Sequence, residues 1–232
     1  RPVWPIDERR VPQSTVPGER TAGTQPFPSR PPAFERQGLT DEDLIDFTPE
    51  LRTQAMEVVS AHDRGPLFTP PSERGAIAVP GWVGGANWGG AAVDPDTGVL
   101  YVPSITNPSV LQLVKPDAEK SNLLFRRGGV TLLPTVDGLP VVKPPYSRVT
   151  AIDLNRGEIS WATPLGDGPR DHPLLKELNL PPLGAGLRGA PLVTRTLLFV
   201  AMGQGGLGGG QNLPVGGRPL SGPRPPEPVK LY

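Results

Sequence analysis

Three pairs of short apolar runs, each pair joined by a tight polar turn, constrain this chain more than anything else in it. Residues 90–94 and 99–103 flank Pro95-Asp96-Thr97-Gly98, and residues 149–153 and 158–161 flank Leu154-Asn155-Arg156-Gly157. Residues 190–194 and 197–201 are joined by Arg195-Thr196 alone. Val, Ile, Leu and aromatic residues bounded by Asp, Asn and Gly predict antiparallel hairpins. A lone hairpin cannot bury both of its faces. Hairpins recurring tens of residues apart must therefore stack on one another, as propeller blades do radially. A jelly roll or sandwich is the alternative arrangement. The first two turns also share a pattern, Ala-x-Asp-x-x-x-Gly: Ala92, Asp94, Gly98 and Ala151, Asp153, Gly157. The aspartate suits a turn that its side chain can close, and the glycine relaxes it. In the second copy alone an indole, Trp161, follows four residues later.

Between the hairpins the chain is unusually rich in breakers, with 29 glycines and 33 prolines in 232 residues. Residues 1–8 read as a strand fragment carrying Val3 and Trp4. Residues 9–38 hold Pro12, Pro17, Pro26, Pro28, Pro31 and Pro32 and predict an extended connection, because proline fixes φ and removes a donor. Residues 39–61 change character. Thr40 precedes Asp41-Glu42-Asp43, and Thr48 precedes Pro49-Glu50, two N-caps followed by first-turn residues. Leu51, Ala55, Val58 and Val59 then recur at helical spacing, so two short helices are predicted. The three acids form a cluster that a cation would accept, but a helix start accounts for them more simply. Residues 104–145 read as a loose loop, and 203–228 as a further Gly/Pro-rich stretch.

Several functions are excluded by what the chain lacks. Lys+Arg and Asp+Glu both number 23, so there is no basic footprint for nucleic acid and no polybasic membrane patch. Cysteine is absent, which removes disulfides and thiolate metal sites. No apolar run reaches the length of a membrane span. The glycine run 203–210 lacks the strand-to-helix setting of a dinucleotide fingerprint. Asp94 and Asp153 sit where they would hold turns, His62 sits at a helix end, and Asp167, Arg170, Asp171 and His172 lie in a Pro/Gly loop. Neither a nucleophile triad nor a zinc site is visible. The opening on Arg1 and the closing Val229-Lys230-Leu231-Tyr232, which reads as the first residues of a strand, suit an internal piece of a longer protein.

The stretch 80–92 is the chemical exception. Pro80-Gly81-Trp82-Val83-Gly84-Gly85-Ala86-Asn87-Trp88-Gly89-Gly90-Ala91-Ala92 sets two indoles and a carboxamide among five glycines. Such a turn can bring an amide and a flat ring to a ligand. It can equally be a glycine-rich approach to a buried strand, with Trp88 filling a core.

The pattern Ala-x-Asp-x-x-x-Gly-x-x-x-Trp at Ala151, Asp153, Gly157 and Trp161 resembles the tryptophan-docking motif of the pyrroloquinoline quinone (PQQ)-dependent dehydrogenases, the quinoprotein alcohol and glucose dehydrogenases. Stretches 2–6, 46–51, 65–71, 80–92, 143–146, 166–172 and 190–194 look like the membrane-bound glucose dehydrogenase type, and they are spread along most of the chain. The resemblance implies an all-β fold, part of an eight-bladed β-propeller with a short helical insertion, in which each motif's indole packs against the next blade. The chain then holds about one complete blade and parts of two others. Residues 1–8 carry the last strand of one blade, with Trp4 closing a motif that begins upstream. Residues 9–80 form the Pro-rich and helical insertion. The complete blade is 81–165, with strands near 87–95, 98–104, 147–154 and 158–163. Residues 166–232 begin the next blade, with strands near 188–194 and 197–203.

The resemblance further implies oxidation of an aldose or other alcohol, with hydride passing to PQQ and electrons to ubiquinone or another acceptor. Ca²⁺ or Mg²⁺ would act as Lewis acid, in a periplasmic protein whose membrane contact comes through parts outside this chain. Asn87 is carried over as a hydrogen-bond partner of the cofactor and Trp88 as a wall of its site. Leu187 and Arg188 hold the equivalent turn of the next blade, where the guanidinium meets either a PQQ carboxylate or solvent. Trp82 replaces a polar residue of relatives, and its role stays open. The general base and the metal ligands are expected upstream of Arg1; no catalytic or metal-binding residue is assigned within the chain. The alternative is a non-catalytic propeller serving as a scaffold for protein contacts.

Overall fold

A computed structural model describes residues 1–203. Its centre is an antiparallel four-stranded sheet made of β4 (Ala92–Asp94), β5 (Val99–Ile105), β8 (Ser147–Asp153) and β9 (Glu158–Pro164), in that spatial order. Ala92 stands opposite Tyr101, Tyr101 opposite Ala151, and Ala151 opposite Trp161, so the repeated motif residues line up across the sheet. A bulge between Ala151 and Ile152 shifts the last pairing. The third predicted hairpin is β10 (Arg188–Val193) with β11 (Leu198–Gly203). It packs on the central sheet through Gly189, where a Cβ would stand 2.8 Å from that of Pro103.

The two helical starts form as their caps dictate. The Asp43 carboxylate takes the Thr40 N–H at 2.8 Å and its hydroxyl at 2.9 Å, around a single 3-10 turn, Asp41–Asp43. The Thr48 hydroxyl accepts the Leu51 N–H at 3.2 Å and opens α1 (Pro49–Ser60). The acid cluster is used in the same way. Asp41 pairs with Arg64 at 2.7 Å and Asp43 with Arg36 at 3.2 Å.

Two segments predicted to be loose contain strands. β1 (Ile6–Arg10) pairs with β2 (Thr24–Pro28), so the strand expected within residues 1–8 starts only at Ile6, beyond Pro2 and Pro5, which lack donors. The Ser29 N–H donates to the Pro5 carbonyl at 2.9 Å. Pro26 and Pro28, of opposite parity, therefore face their missing donors to the outer edge. A three-stranded sheet joins β3 (Ala76–Ala78), β6 (Ser109–Val114) and β7 (Arg126–Leu132), the last two inside the supposed loop 104–145.

The larger core also lies outside the repeated hairpins. Leu51, Ala55 and Val59 on one face of α1 meet Leu44, Leu139 and Val142, all buried. A smaller cluster, Val149, Leu165 and Val200, sits between the central sheet and β10–β11. The architecture is β-sheet with modest helix, and among the described residues the sheets do not close into a ring. The predicted strand start at 229–232 and the glycine run 203–210 lie outside the described residues, apart from Gly203 at the end of β11.

Candidate functional site

The stretch 80–92 is clamped at its beginning and turned at its end. Gly81, at φ +149°, lies against the Asn107 carbonyl where no side chain fits, and the Asn107 N–H returns a bond to Pro80 O at 2.6 Å. The Trp82 N–H donates to Ser109 Oγ at 2.7 Å, and its ring, 48% exposed, carries the Arg127 guanidinium 5.1 Å from the centroid. Trp82 is thereby a partner of the β6–β7 sheet. The Ile105 N–H then donates to Gly85 O at 3.2 Å and fixes the turn to the end of β5.

Residues 87–91, expected to open the inner strand, are not strand; β4 begins at Ala92. The reason is local. The Asn87 Nδ2 donates to Val83 O at 2.9 Å, its Oδ1 accepts the Trp88 N–H at 2.7 Å, and the Gly90 N–H reaches Asn87 O at 2.8 Å. An asparagine that bonds neighbouring backbone in this way makes a turn instead of a ladder. Each amide atom of Asn87 keeps capacity for one more bond, since the carboxamide has two donors and two lone pairs. Trp88 is 89% exposed, so it fills no core within the described residues.

The second candidate turn comes to the same place. A Cβ on Gly89 would stand 2.5 Å from the Gly189 carbonyl oxygen, so the two backbones are in direct contact. Asn87 and Trp88 thus share one end of the central sheet with Leu187 and Arg188, which are half-buried. Among the described residues Arg188 forms no ion pair with a side chain. A flat exposed ring, a carboxamide with spare capacity and a guanidinium suit a planar, anionic, oxygen-rich ligand.

The other polar residues are used in holding the chain. Asp94 accepts the Thr97 hydroxyl at 2.6 Å and the Asp96 N–H at 3.0 Å, and these two bonds, the hydroxyl first, hold its carboxyl below the ordinary value. Asp153 accepts the N–H groups of Asn155 and Arg156 at 2.9 and 3.1 Å. His172 Nε2 bonds Asp137 O at 2.8 Å, and Arg170 reaches Asp167 at 3.3 Å. His62 Nδ1 lies 3.2 Å from Arg74 O. No cluster of three or more metal-ligating side chains occurs among the described residues, and no helix there is long and apolar enough to cross a membrane.

The Trp4 ring lies on Gly157, where a Cβ would come within 2.7–2.9 Å of its atoms. Trp161 stacks at a tilt on Tyr101, centroids 5.9 Å apart. Sequence reading passed over Glu35, whose carboxylate is buried against Ser104, Thr106 and Arg148; a single acid in a proline-rich run gives no periodic signal.

Antiparallel sheets with modest helix, a tryptophan ring laid on a turn glycine and an aromatic turn at one end of the central sheet make up a predominantly β protein. The glucose/ethanol/alcohol dehydrogenase β-propeller domain of PQQ enzymes matches residues 1–206, and the chain belongs to this family. Among its relatives is the quinate/shikimate dehydrogenase (quinone) of Acinetobacter baylyi, 26% identical over 88% of this chain and 28% of that protein. The glycerol dehydrogenase large subunit of Gluconobacter oxydans is 28% identical over 87% and 31%. The quinoprotein glucose dehydrogenase of Escherichia coli is 29% identical over 86% and 28%. The chain therefore spans less than a third of the length of these relatives.

Proposed function

We propose that this chain is the part of a PQQ-dependent dehydrogenase that forms one wall of the cofactor site, in a protein oxidising an aldose or other alcohol. The observation that carries the reading is the contact of Gly89 with the Gly189 carbonyl, which gathers Asn87, Trp88 and Arg188 at one end of the sheet. In this reading the two hairpin groups belong to successive blades of an eight-bladed propeller, the first of them complete.

These residues fit the group. Asn87 offers its remaining N–H and lone pair to quinone or carboxylate oxygens, held by bonds to Val83 and Trp88 that leave those atoms in place. The Trp88 ring supplies a flat apolar face that excludes water, and Arg188 supplies fixed positive charge for a carboxylate. Leu187 completes the second turn. When bound, the quinone supplies the acceptor for a hydride from the substrate carbon, helped by Ca²⁺ or Mg²⁺ as Lewis acid. The base and the metal ligands come from parts of the whole protein beyond these residues. Electrons leave to ubiquinone or a similar acceptor, in a periplasmic protein whose membrane contacts lie outside this chain.

The test is dye-linked oxidation of sugars and alcohols by the full-length protein, reconstituted with PQQ and Ca²⁺, beside its Asn87→Ala variant. Activity in the parent and PQQ binding about tenfold weaker in the variant are expected, the loss of about one good hydrogen bond to a charged group. A parent protein that oxidises none of these substrates and binds no PQQ refutes the enzyme reading. Wild-type binding in the variant makes the turn structural.

A further inference from the structure

Glu35 is the one carboxylate of the described chain buried beside the candidate site. Its side chain is 5% exposed. Oε2 accepts the Ser104 hydroxyl at 2.7 Å, while Oε1 accepts the Thr106 hydroxyl at 2.6 Å and the Arg36 N–H at 2.9 Å. Arg148, itself only 15% exposed, brings a terminal guanidinium nitrogen to 3.2 Å from Oε1 and bonds the Thr106 hydroxyl at 3.0 Å and the Pro145 carbonyl at 2.9 Å. Burial draws the Arg148 guanidinium below its ordinary value, and the Glu35 charge opposes that shift. A carboxylate with three hydrogen bonds and a counter-charge is a fixed point, because moving it would leave a buried charge uncompensated.

That fixed point touches the functional turn. A Cβ on Gly85 would lie 2.9 Å from Glu35 Cγ and 3.2 Å from Ile105 O, and the Gly85 carbonyl accepts the Ile105 N–H. Gly85 is thus held between Ile105 and the Glu35 stem, while the carboxylate of the same stem is held by the residues on either side of Ile105. Two residues further on stands Asn87.

We propose that Glu35, delivered by the Pro-rich insertion, is a positioning residue for the cofactor turn: its anchored stem sets Gly85, and through Gly85 the place of Asn87. The proposal rests on the reading of Asn87 as a cofactor partner. The charge and the reach of Glu35 do separate things here. Glu35→Gln keeps the stem and an acceptor but removes the counter-charge of Arg148. Glu35→Asp keeps the charge but is one carbon short, so it cannot hold Ser104 and Thr106 and still pack on Gly85.

The experiment titrates the apo full-length protein with PQQ in the presence of Ca²⁺, followed by tryptophan fluorescence, and records thermal midpoints. Glu35→Gln is expected to lower the midpoint while binding within about twofold of wild type, and Glu35→Asp to bind about tenfold more weakly. Gly85→Ala perturbs the same contact from the other side, should Glu35→Asp not fold, and is expected to match it. In the Asn87→Ala background either change adds no further loss, because both act through Asn87. Losses that multiply to about a hundredfold overturn the proposal, as do Glu35→Asp and Gly85→Ala variants that bind like wild type. Asn87→Ala binding like wild type overturns the reading of the site, and this proposal with it.

Discussion

Gly157 and Gly98 occupy the same position of the two motif copies, yet substituting them should cost different amounts. Both are left-handed, at φ +65° and +72°. Alanine in that region costs about 1–2 kcal/mol. At Gly98 the new methyl meets the Asn155 side-chain amide 2.5 Å away, the far end of an exposed side chain that can swing aside. The cost stays near the backbone figure, plus up to ~1 kcal/mol for the Asn155 bond to Thr97 O. At Gly157 the methyl meets three ring atoms of Trp4 at 2.7–2.9 Å. A rigid indole cannot bend, so overpacking adds about 1–3 kcal/mol. Amide exchange of the 153–157 and 94–98 turns in the full-length protein reads these costs as local opening. Gly157→Ala should speed exchange of its own turn by roughly ten- to hundredfold beyond the effect of Gly98→Ala on the other. In a Trp4→Ala background that excess should vanish. Equal costs at the two glycines, or an excess that survives removal of the indole, would refute the account of Trp4 as the ring docked on this turn.

Other substitutions probe the insertion. Thr48→Ala removes the cap of α1 and should lower stability by about 1 kcal/mol, read as a lower thermal midpoint with PQQ binding unchanged. The Tyr146 hydroxyl is buried with no hydrogen-bond partner among the described residues, and burial raises it above the ordinary tyrosine value of 10.0. The folded state therefore favours the neutral phenol. That contribution is full below pH 10 and is lost as the pH rises above it, because the unfolded chain ionises first. Tyr146→Phe should match or slightly exceed the parent midpoint near neutral pH and lose less of it above pH 10, in thermal melts taken across that range.

The parts of this fold legible in the sequence are those decided locally. Thr40, Thr48 and Pro49 announce helix starts because a cap bonds within its own turn. Asp94 and Asp153 announce hairpins because their carboxylates accept bonds from donors two and three residues further along the same turn. The strands of residues 104–145 were missed because their partners are distant: β6 pairs with β3, some thirty residues earlier, and the β6–β7 connection is long. β1 and β2 were hidden by prolines that turn out to lie on the outer edge. At the candidate site, residue types were legible but not conformation. Asn87 and Trp88 drew notice as an amide and an indole among glycines, whereas the end of the ladder at Ala92 follows from the two bonds Asn87 makes to its own turn. Glu35 gave no signal because its partners Ser104, Thr106 and Arg148 are 69 to 113 positions away.

Trp4 and Trp161 differ in what covers their rings. Trp4 has its partner within the described chain, the turn glycine of the motif that ends in Trp161, and Arg30 ties the same turn down by bonding Arg156 O at 3.0 Å and pairing with Glu158 at 3.3 Å. Among the described residues only Tyr101 stacks on Trp161, and the residue is 43% exposed. It borders an apolar cleft of about 390 Å³, lined by Val149, Leu165, Leu198 and Val200 between the central sheet and β10–β11. A tryptophan that served only its own sheet would turn both faces inward, since burying a ring is worth more than half-burying it. Trp161 instead leaves one face beside the cleft, whereas the Trp4 ring is closed on Gly157.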